Sequence, residues 1–294
     1  MREKKPGSYK EIVKIPKNLK DKLPTSYDVV GNIILLKIPE ELLEYKNEIG
    51  SSLLTTHKNI KTVCLIEPVS GEYRTRKIEV IAGDKNTETI HKEYGLKFHV
   101  DVGKTYFSPR LANERMRIAK LVKKDEIIVD MFTGVAPFSI MIAKNSASKI
   151  IYAIDKNKDS IIYAKTNVKI NNLLNRIEVI NNNSKLIKDI LPENLSVDRI
   201  IMNLPMGSFN FFKYALDIID DKSIIHYYEI LSENNFAERI ESLKKIAKDK
   251  NIVLKRVDIN KIKSYAPHEF YICFDITAKK NWCRCSSVGG AADL

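Results

Sequence analysis

Residues 130–138 read DMFTGVAPF, directly after the apolar run Ile127-Ile128-Val129. A strand that ends in a carboxylate, turns at a glycine and enters a helix at a proline opens a strand–loop–helix unit. Gly134 permits the tight turn, and Pro137 suits the first helical turn, where a missing N–H is no loss. Further on, the apolar run Arg199-Ile200-Ile201-Met202 ends in Asn203-Leu204-Pro205-Met206. The first strand end fits a loop that cradles a nucleotide-like cofactor. The second fits a turn that holds a flat nitrogen heterocycle.

Around this pair, from about Lys104 onward, strands alternate with helices. Strands are expected at Ile127–Val129, Ile150–Ile154, Ile177–Ile180, Ile200–Met202, Ser223–Tyr228, Ile252–Val257 and Tyr271–Thr277. Helices are expected at Pro137–Ala147, Ser160–Asn171, Phe209–Ile219 and Asn235–Lys248. Such alternation calls for an α/β fold, a mainly parallel sheet with helices on both faces. Ligands then bind beyond the carboxyl ends of the strands. Seven strands, the last after a hairpin-like turn at Ala266-Pro267-His268, match a Rossmann-like class I methyltransferase domain better than a six-stranded dehydrogenase.

The first third has another texture. Ile33–Ile38 and Val63–Ile66 read as strands, and Glu40–Gly50 as a short helix closed by Gly50, a common C-cap residue. Arg76–Ile81 and Leu96–Val102 alternate polar and apolar residues, as an antiparallel sheet with one wet face requires. The expected organisation is a smaller α+β RNA-binding domain over 1–103, a Rossmann-like domain over 104–282 and a tail, 283–294, expected to be disordered.

The loop at 130–138 is not a dinucleotide fingerprint. It has one glycine, with Ala136 where a second is usual. A pyrophosphate needs bare backbone amides; S-adenosylmethionine has no phosphate and tolerates a less glycine-rich loop. Asp155 ends the second strand, where an acidic residue normally grips the ribose hydroxyls; the alternative is that it caps the helix near Ser160. The run Asn181-Asn182-Asn183-Ser184 either meets the adenine or forms a plain Asn-rich turn.

Charge and composition narrow the partners. The 294 residues carry a formal net charge of +12, which favours a polyanion such as nucleic acid. No apolar run approaches the roughly 20 residues that span a bilayer, and the N-terminus lacks the apolar core of a signal peptide. A cytoplasmic protein with no membrane contact is expected. Cys64 and Cys273 read as buried thiols. Cys283 and Cys285 form a lone pair with no second pair at metal-ligand spacing, so no metal site is expected.

Asn203-Leu204-Pro205-Met206 resembles the Asn-Pro-Pro-aromatic motif of amino-group methyltransferases, in which the Asn side chain and a neighbouring carbonyl accept hydrogen bonds from the target nitrogen. Leu204 stands for the first proline and Met206 for the aromatic. Ahead of the first strand of the α/β region, Glu114, Arg115 and Arg117 enter a helix. Arg117 and Lys120 read as surface charges in i,i+3 and i,i+4 pairs.

Taken together, several blocks resemble the archaeal and eukaryotic tRNA (guanine-37, N1) methyltransferases. They are Tyr27–Gly31, Tyr73–Arg76, Thr89–Gly95, Lys104–Leu111, Glu114-Arg115, Asp130–Phe138, Asn203–Pro205 and Lys263–Pro267. The resemblance spans about residues 20–280. It implies an S-adenosyl-L-methionine-dependent enzyme that methylates N1 of guanosine 37 in the anticodon stem-loop of tRNA, acting as a monomer. It assigns Glu114 as general base, Arg74 as the O6 partner, Tyr106 as the aromatic against the flipped base, and Asn203 and Pro205 as the holders of the base edge. It places Arg115, Phe132, Gly134, Asp155, Lys156, Asn183, Ser184 and Asn203 at the cofactor. The chemistry explains the first two roles: N1 of guanine carries a proton at neutral pH, so attack on a methyl sulfonium needs a base and a positive group at O6.

Three departures stand out. The small N-terminal domain that senses the tRNA outer corner is expected to be missing, Asn183 replaces an acidic cofactor contact, and Ala136 replaces a glycine. Competing readings are an aminocarboxypropyl transferase or a bifunctional wyosine-precursor methyltransferase at the same tRNA position. From another class comes a tRNA-binding protein with a degenerate cofactor pocket.

Overall fold

The computed structural model of the protein describes residues 7–67 and 77–281. Arg74 with its neighbours Tyr73, Thr75 and Arg76, and the tail with Cys283 and Cys285, lie outside the described residues.

Early in the chain, α1 (Tyr9–Ile12) precedes a four-stranded sheet of β1 (Asp28–Val30), β2 (Ile33–Leu36), β3 (Thr62–Ile66) and β4 (Ile78–Gly83), in the order β1-β2-β3-β4. The parallel pair β2/β3 needs a crossover, which a 3-10 turn at Glu40–Tyr45 and helix α2 (Lys46–Thr56) supply. Leu36, Leu42, Ile49, Leu53, Val63 and Ile81 form the core between helix and sheet. Gly50 does not close this helix. It sits inside α2, where an added Cβ would come within 2.9 Å of Ala82 Cβ. Its role is close helix–sheet approach, not a C-cap.

The hairpin of β5 (Glu88–Glu93) and β6 (Leu96–Asp101) turns at Tyr94-Gly95. Next come α3 (Ala112–Leu121), β7 (Ile127–Asp130), α4 (Pro137–Asn145), β8 (Ile150–Asp155), α5 (Lys158–Ile170), β9 (Ile177–Asn181) and α6 (Ile187–Ile190). The chain continues through β10 (Val197–Met202), α7 (Ser208–Asp217), β11 (Ile219–Ser232), α8 (Phe236–Asp249), β12 (Ile252–Ala266) and β13 (Glu269–Lys280).

Seven strands form one sheet in the order β12-β13-β11-β10-β7-β8-β9, Rossmann-like and mainly parallel. Its hairpin strands β12 and β13 are antiparallel to each other, and β13 is antiparallel to β11. The chain divides into two compact units, one of Met1–Glu126 with Asp130–Asn183, the other of Ile127–Val129 with Ser184–Leu294. No helix among the described residues is long and apolar enough to cross a membrane. Cys64 and Cys273 are buried free thiols, as expected.

Every strand read from periodicity is present, but some lengths differ. β11 runs over Ile219–Ser232, not Ser223–Tyr228, and β12 over Ile252–Ala266, not Ile252–Val257. The added ends are rich in charged residues, so hydrophobicity alone stops the strands early. Pairing with β13 carries both on, to Ser232↔Glu269 and Ala266↔Glu269.

Each unit has its own polar brace. In the first, Asn167 on α5 and Asn171, the residue that ends it, each accept from and donate to the β6 backbone, at His99 and Lys97 respectively. A spacing of four on a helix and two on a strand lets these carboxamides satisfy a strand edge. In the second, Arg199, His226, Asp275 and Asn260 form a row across β10, β11, β13 and β12. Arg199 Nη1 lies 2.6 Å from His226 Nε2. A guanidinium only donates, so Nε2 accepts and Nδ1 carries the proton toward Asp275. His226, Cys273 and Asp275 cluster like metal donors, but a protonated Nδ1 has no lone pair to offer an ion.

Candidate functional site

The cofactor loop is built on the end of β7. Asp130 is buried, and its Oδ2 accepts from Thr133 Oγ1 at 3.0 Å and Ser139 Oγ at 2.8 Å. Its Oδ1 has no hydrogen-bond partner among the described residues. Burial pushes the Asp130 carboxyl up to about 6, helped by the Asp155 charge and against the lowering effect of the Ser139 and Thr133 hydroxyls and the Phe132 N–H. A buried carboxylate oxygen without a donor is unfavourable unless a ligand brings a donor or a positive charge. S-adenosylmethionine, which has hydroxyl, ammonium and sulfonium groups, fits that requirement. From sequence, Asp130 marks only the end of the strand. Its place after an apolar run was the available signal of burial.

Gly134 has φ +55°, and its N–H donates to Asp155 Oδ2 at 2.7 Å. Asp155 Oδ1 accepts from Asn157 N at 2.9 Å, and the Lys156 N–H also turns to this carboxylate. Burial raises the Asp155 carboxyl above its ordinary range, and these backbone donors oppose the rise. Helix α5 is capped by Asn157, whose side chain accepts from Asp159 N. Capping is therefore not the role of Asp155, which ties the end of β8 to the glycine turn. Its carbonyl gathers the next loop, accepting from Asn181 Nδ2 at 2.9 Å and Asn182 N at 3.1 Å. Asn183 is half-buried just beyond, and Ser184 is buried at the start of a 3-10 turn.

Ala136 has φ +65° at the N-cap of α4. A side chain in the left-handed region carries roughly 1–2 kcal/mol of strain, which is why glycine is usual there. Phe132 is half-buried in the same loop. Tyr106 is half-buried, and its carbonyl lies 3.8 Å from where a Cβ on Gly134 would sit.

Helix α3 carries Glu114 and Arg115 in different settings. Glu114 is buried, and Arg117 grips both of its oxygens, Nε to Oε2 at 2.7 Å and Nη2 to Oε1 at 2.8 Å. The expected i,i+3 pair is present, but Arg117 is no plain surface charge: it fixes a buried carboxylate. Arg115, the next residue, is also buried but turns to other partners. It makes a two-pronged ion pair with Glu93 of β5, donates to the Ser108 carbonyl at 3.2 Å, and lies 5.2 Å from the centroid of Phe107. These contacts tie the β5–β6 hairpin to the segment carrying Tyr106. Glu93 is not recognisable from sequence, since a lone glutamate in a charged run gives no signal of burial.

In the second unit, β10 ends at Met202 and the chain turns through Asn203 to Met206. Ser208 Oγ donates to the Met202 carbonyl at 2.8 Å, and Ser208 N donates to the Leu204 carbonyl at 2.8 Å. Ile230 N of β11 donates to the Pro205 carbonyl at 3.2 Å. The Tyr271 hydroxyl of β13 donates to Asn203 Oδ1. Pro205 is buried and Met206 exposed. The Asn203 carboxamide is thus fixed at the carboxyl end of a parallel strand.

A Rossmann-like sheet with a glycine turn, a buried carboxylate and a half-buried one at its strand ends defines the class I methyltransferase type. Comparison with known proteins supplies the family. The TRM5/TYW2 methyltransferase domain matches residues 89–255, and the TYW2 N-terminal domain matches residues 9–87. The chain belongs to the TRM5/TYW2 methyltransferase family, which uses S-adenosylmethionine. It is similar to tRNA (guanine(37)-N(1))-methyltransferase Trm5b of Pyrococcus abyssi, with 39% identity over 92% of this chain and 80% of that one. It is also similar to a tRNA(Phe) (4-demethylwyosine(37)-C(7)) aminocarboxypropyltransferase of Methanocaldococcus jannaschii, with 35% identity over 85% of this chain and 96% of that one. Among solved structures, the complex of aTrm5 and tRNALeu superposes with a TM-score of 0.79 at 37% identity, covering 95% of this chain and 79% of the other.

Proposed function

We propose that the protein transfers the methyl group of S-adenosylmethionine to N1 of guanosine 37 of tRNA, acting as a monomer on the anticodon stem-loop. The observation that carries this reading is the Asn203-Leu204-Pro205 turn, fixed at the end of a parallel strand by Tyr271 and Ile230. Similarity to Trm5b supports it. The net charge of +12 suits a polyanionic substrate.

S-adenosylmethionine, when bound, supplies an electrophilic methyl group on a sulfonium. Asp155 and the Gly134 turn hold its ribose, Phe132 and the Asn183-Ser184 turn line its adenine, and Asp130 answers its positive charge. Asn203 and Pro205 hold the edge of the guanine, and Tyr106 packs on its face. Glu114 takes the N1 proton, with Arg117 fixing the carboxylate for that transfer. Arg74 stabilises the charge that develops on O6. Arg115 acts by positioning: it joins Glu93 to Ser108, close in the chain to Tyr106. Residues 1–103 serve the RNA.

A second reading is favoured by one observation, the match of residues 9–87 to the TYW2 N-terminal domain. It is aminocarboxypropyl transfer to a wyosine precursor at the same tRNA position. Incubation with S-adenosylmethionine and unmodified tRNA, followed by mass analysis of the nucleosides, separates the two. The expected product is 1-methylguanosine. A tRNA left unmodified, with the aminocarboxypropyl adduct forming only on tRNA that carries the wyosine precursor, would support the second reading instead.

A further inference from the structure

Tyr271 lies 68 residues from Asn203 in the chain, yet its hydroxyl donates to Asn203 Oδ1. The sheet register explains how. On β13, Tyr271 pairs with Ile230 of β11 and with Lys263 of β12. Ile230 N holds the Pro205 carbonyl, so neighbouring positions on two strands grip the two ends of one short turn. Tyr271 is buried, and its ring packs 5.9 Å from that of Tyr228. The ammonium of Lys263 lies 5.4 Å from the ring centroid. The phenol is therefore held in place on both β-strand sides.

An asparagine carboxamide has one acceptor oxygen and one donor nitrogen, and rotation by half a turn exchanges them. Asn203 can serve a base edge only if one of the two arrangements is kept. We propose that Tyr271 is a positioning residue that locks the Asn203 carboxamide through its oxygen, so that one acceptor lone pair and the Nδ2 donors keep a fixed direction toward the target base. This inference rests on the proposed role of Asn203. Tyr271 then acts on the rate of methyl transfer through Asn203 alone. It does not act on the cofactor or on general RNA affinity.

The test is a double-mutant cycle of Tyr271→Phe and Asn203→Ala, read by single-turnover formation of 1-methylguanosine at saturating S-adenosylmethionine and tRNA. Tyr271→Phe keeps the ring and removes only the donor. It should lower the rate about tenfold, the value of one hydrogen bond, with cofactor affinity and the tRNA concentration for half-saturation unchanged. In the Asn203→Ala background, the same change should alter the rate by less than about twofold, the scatter of uncoupled sites. Equal losses in both backgrounds, or no loss from Tyr271→Phe alone, would overturn the inference and leave the function standing. A wild-type rate for Asn203→Ala would overturn both the inference and the role of Asn203. Failure of the unsubstituted protein to form 1-methylguanosine would remove the function itself, and this inference with it.

Discussion

The two strand ends are fixed by opposite means. At the end of β7, a buried carboxylate is held by the Thr133 and Ser139 hydroxyls, and the glycine turn is tied by its backbone N–H to Asp155, 21 residues from Gly134 in the chain. At the end of β10, the Asn203 turn is held by a side chain 68 residues away on β13 and by a backbone N–H on β11. The first arrangement is local and depends on backbone shape. The second depends on the register of strands that come later in the chain. Substitutions at the two ends should therefore fail differently.

The largest effect is expected at neither end but at the proton acceptor. Glu114→Gln should lower single-turnover methyl transfer by about 100- to 10,000-fold, the range of general-base contributions, with cofactor affinity by calorimetry unchanged. Near-normal turnover would remove Glu114 from the mechanism. Next comes the direct contrast. Asp155→Ala should weaken S-adenosylmethionine binding about 10- to 100-fold, as loss of charged hydrogen bonds implies, whereas Asn203→Ala, although the resemblance also sets Asn203 beside the cofactor, should slow transfer more than it weakens cofactor binding. Identical profiles for the two would erase the distinction drawn between the strand ends.

Asp130 sharpens the contrast through pH. Its folded carboxyl, at about 6, lies above the ordinary 3.8, so the folded state holds the proton more tightly than the unfolded one. The stability this contributes is present below pH 3.8 and is lost as pH rises through about 6. The span amounts to at most about 3 kcal/mol. Asp130→Asn removes it, so thermal unfolding of the variant relative to the unsubstituted protein should shift upward between about pH 4 and about pH 7. Asp155 is raised for the same reason and stays present in both proteins. A difference that does not change with pH would show that Asp130 is not a strained buried carboxylate. The smallest effect is a control far from the chemistry. Gly50→Ala should destabilise the protein by about 1–2 kcal/mol through overpacking against Ala82, with the methyl-transfer rate kept. Unaltered stability would contradict the close helix–sheet packing.

What could be read from sequence follows the same division. The glycine turn, the acidic end of β8 and the alternation of strands and helices are short-range patterns, and all are present. The distant partners carry no such signal. Tyr271 looks like any aromatic in a strand, and its bond to Asn203 depends on the pairing of β11 with β13. Arg117 looks like a surface charge because its helical spacing is that of a solvent-exposed pair; burial of Glu114 gives it another role. Gly50 looks like a C-cap because the sequence does not reveal that α2 packs its backbone on β4. β1 and β5 carry no strand signal in sequence, since Asp28, His91 and Lys92 break the apolar runs that mark strands.

The central claim is that the target atom is the ring nitrogen N1 and not the exocyclic amine. Hypoxanthine keeps the N1 proton and O6 of guanine and lacks only the 2-amino group. The direct measurement is therefore single-turnover methylation of tRNA transcripts carrying guanosine, inosine or adenosine at position 37, with the product nucleosides identified by mass. Guanosine and inosine should both gain a methyl group, and adenosine should gain none. A methylated guanosine transcript beside an inert inosine transcript would place the reaction on the amine and contradict the account.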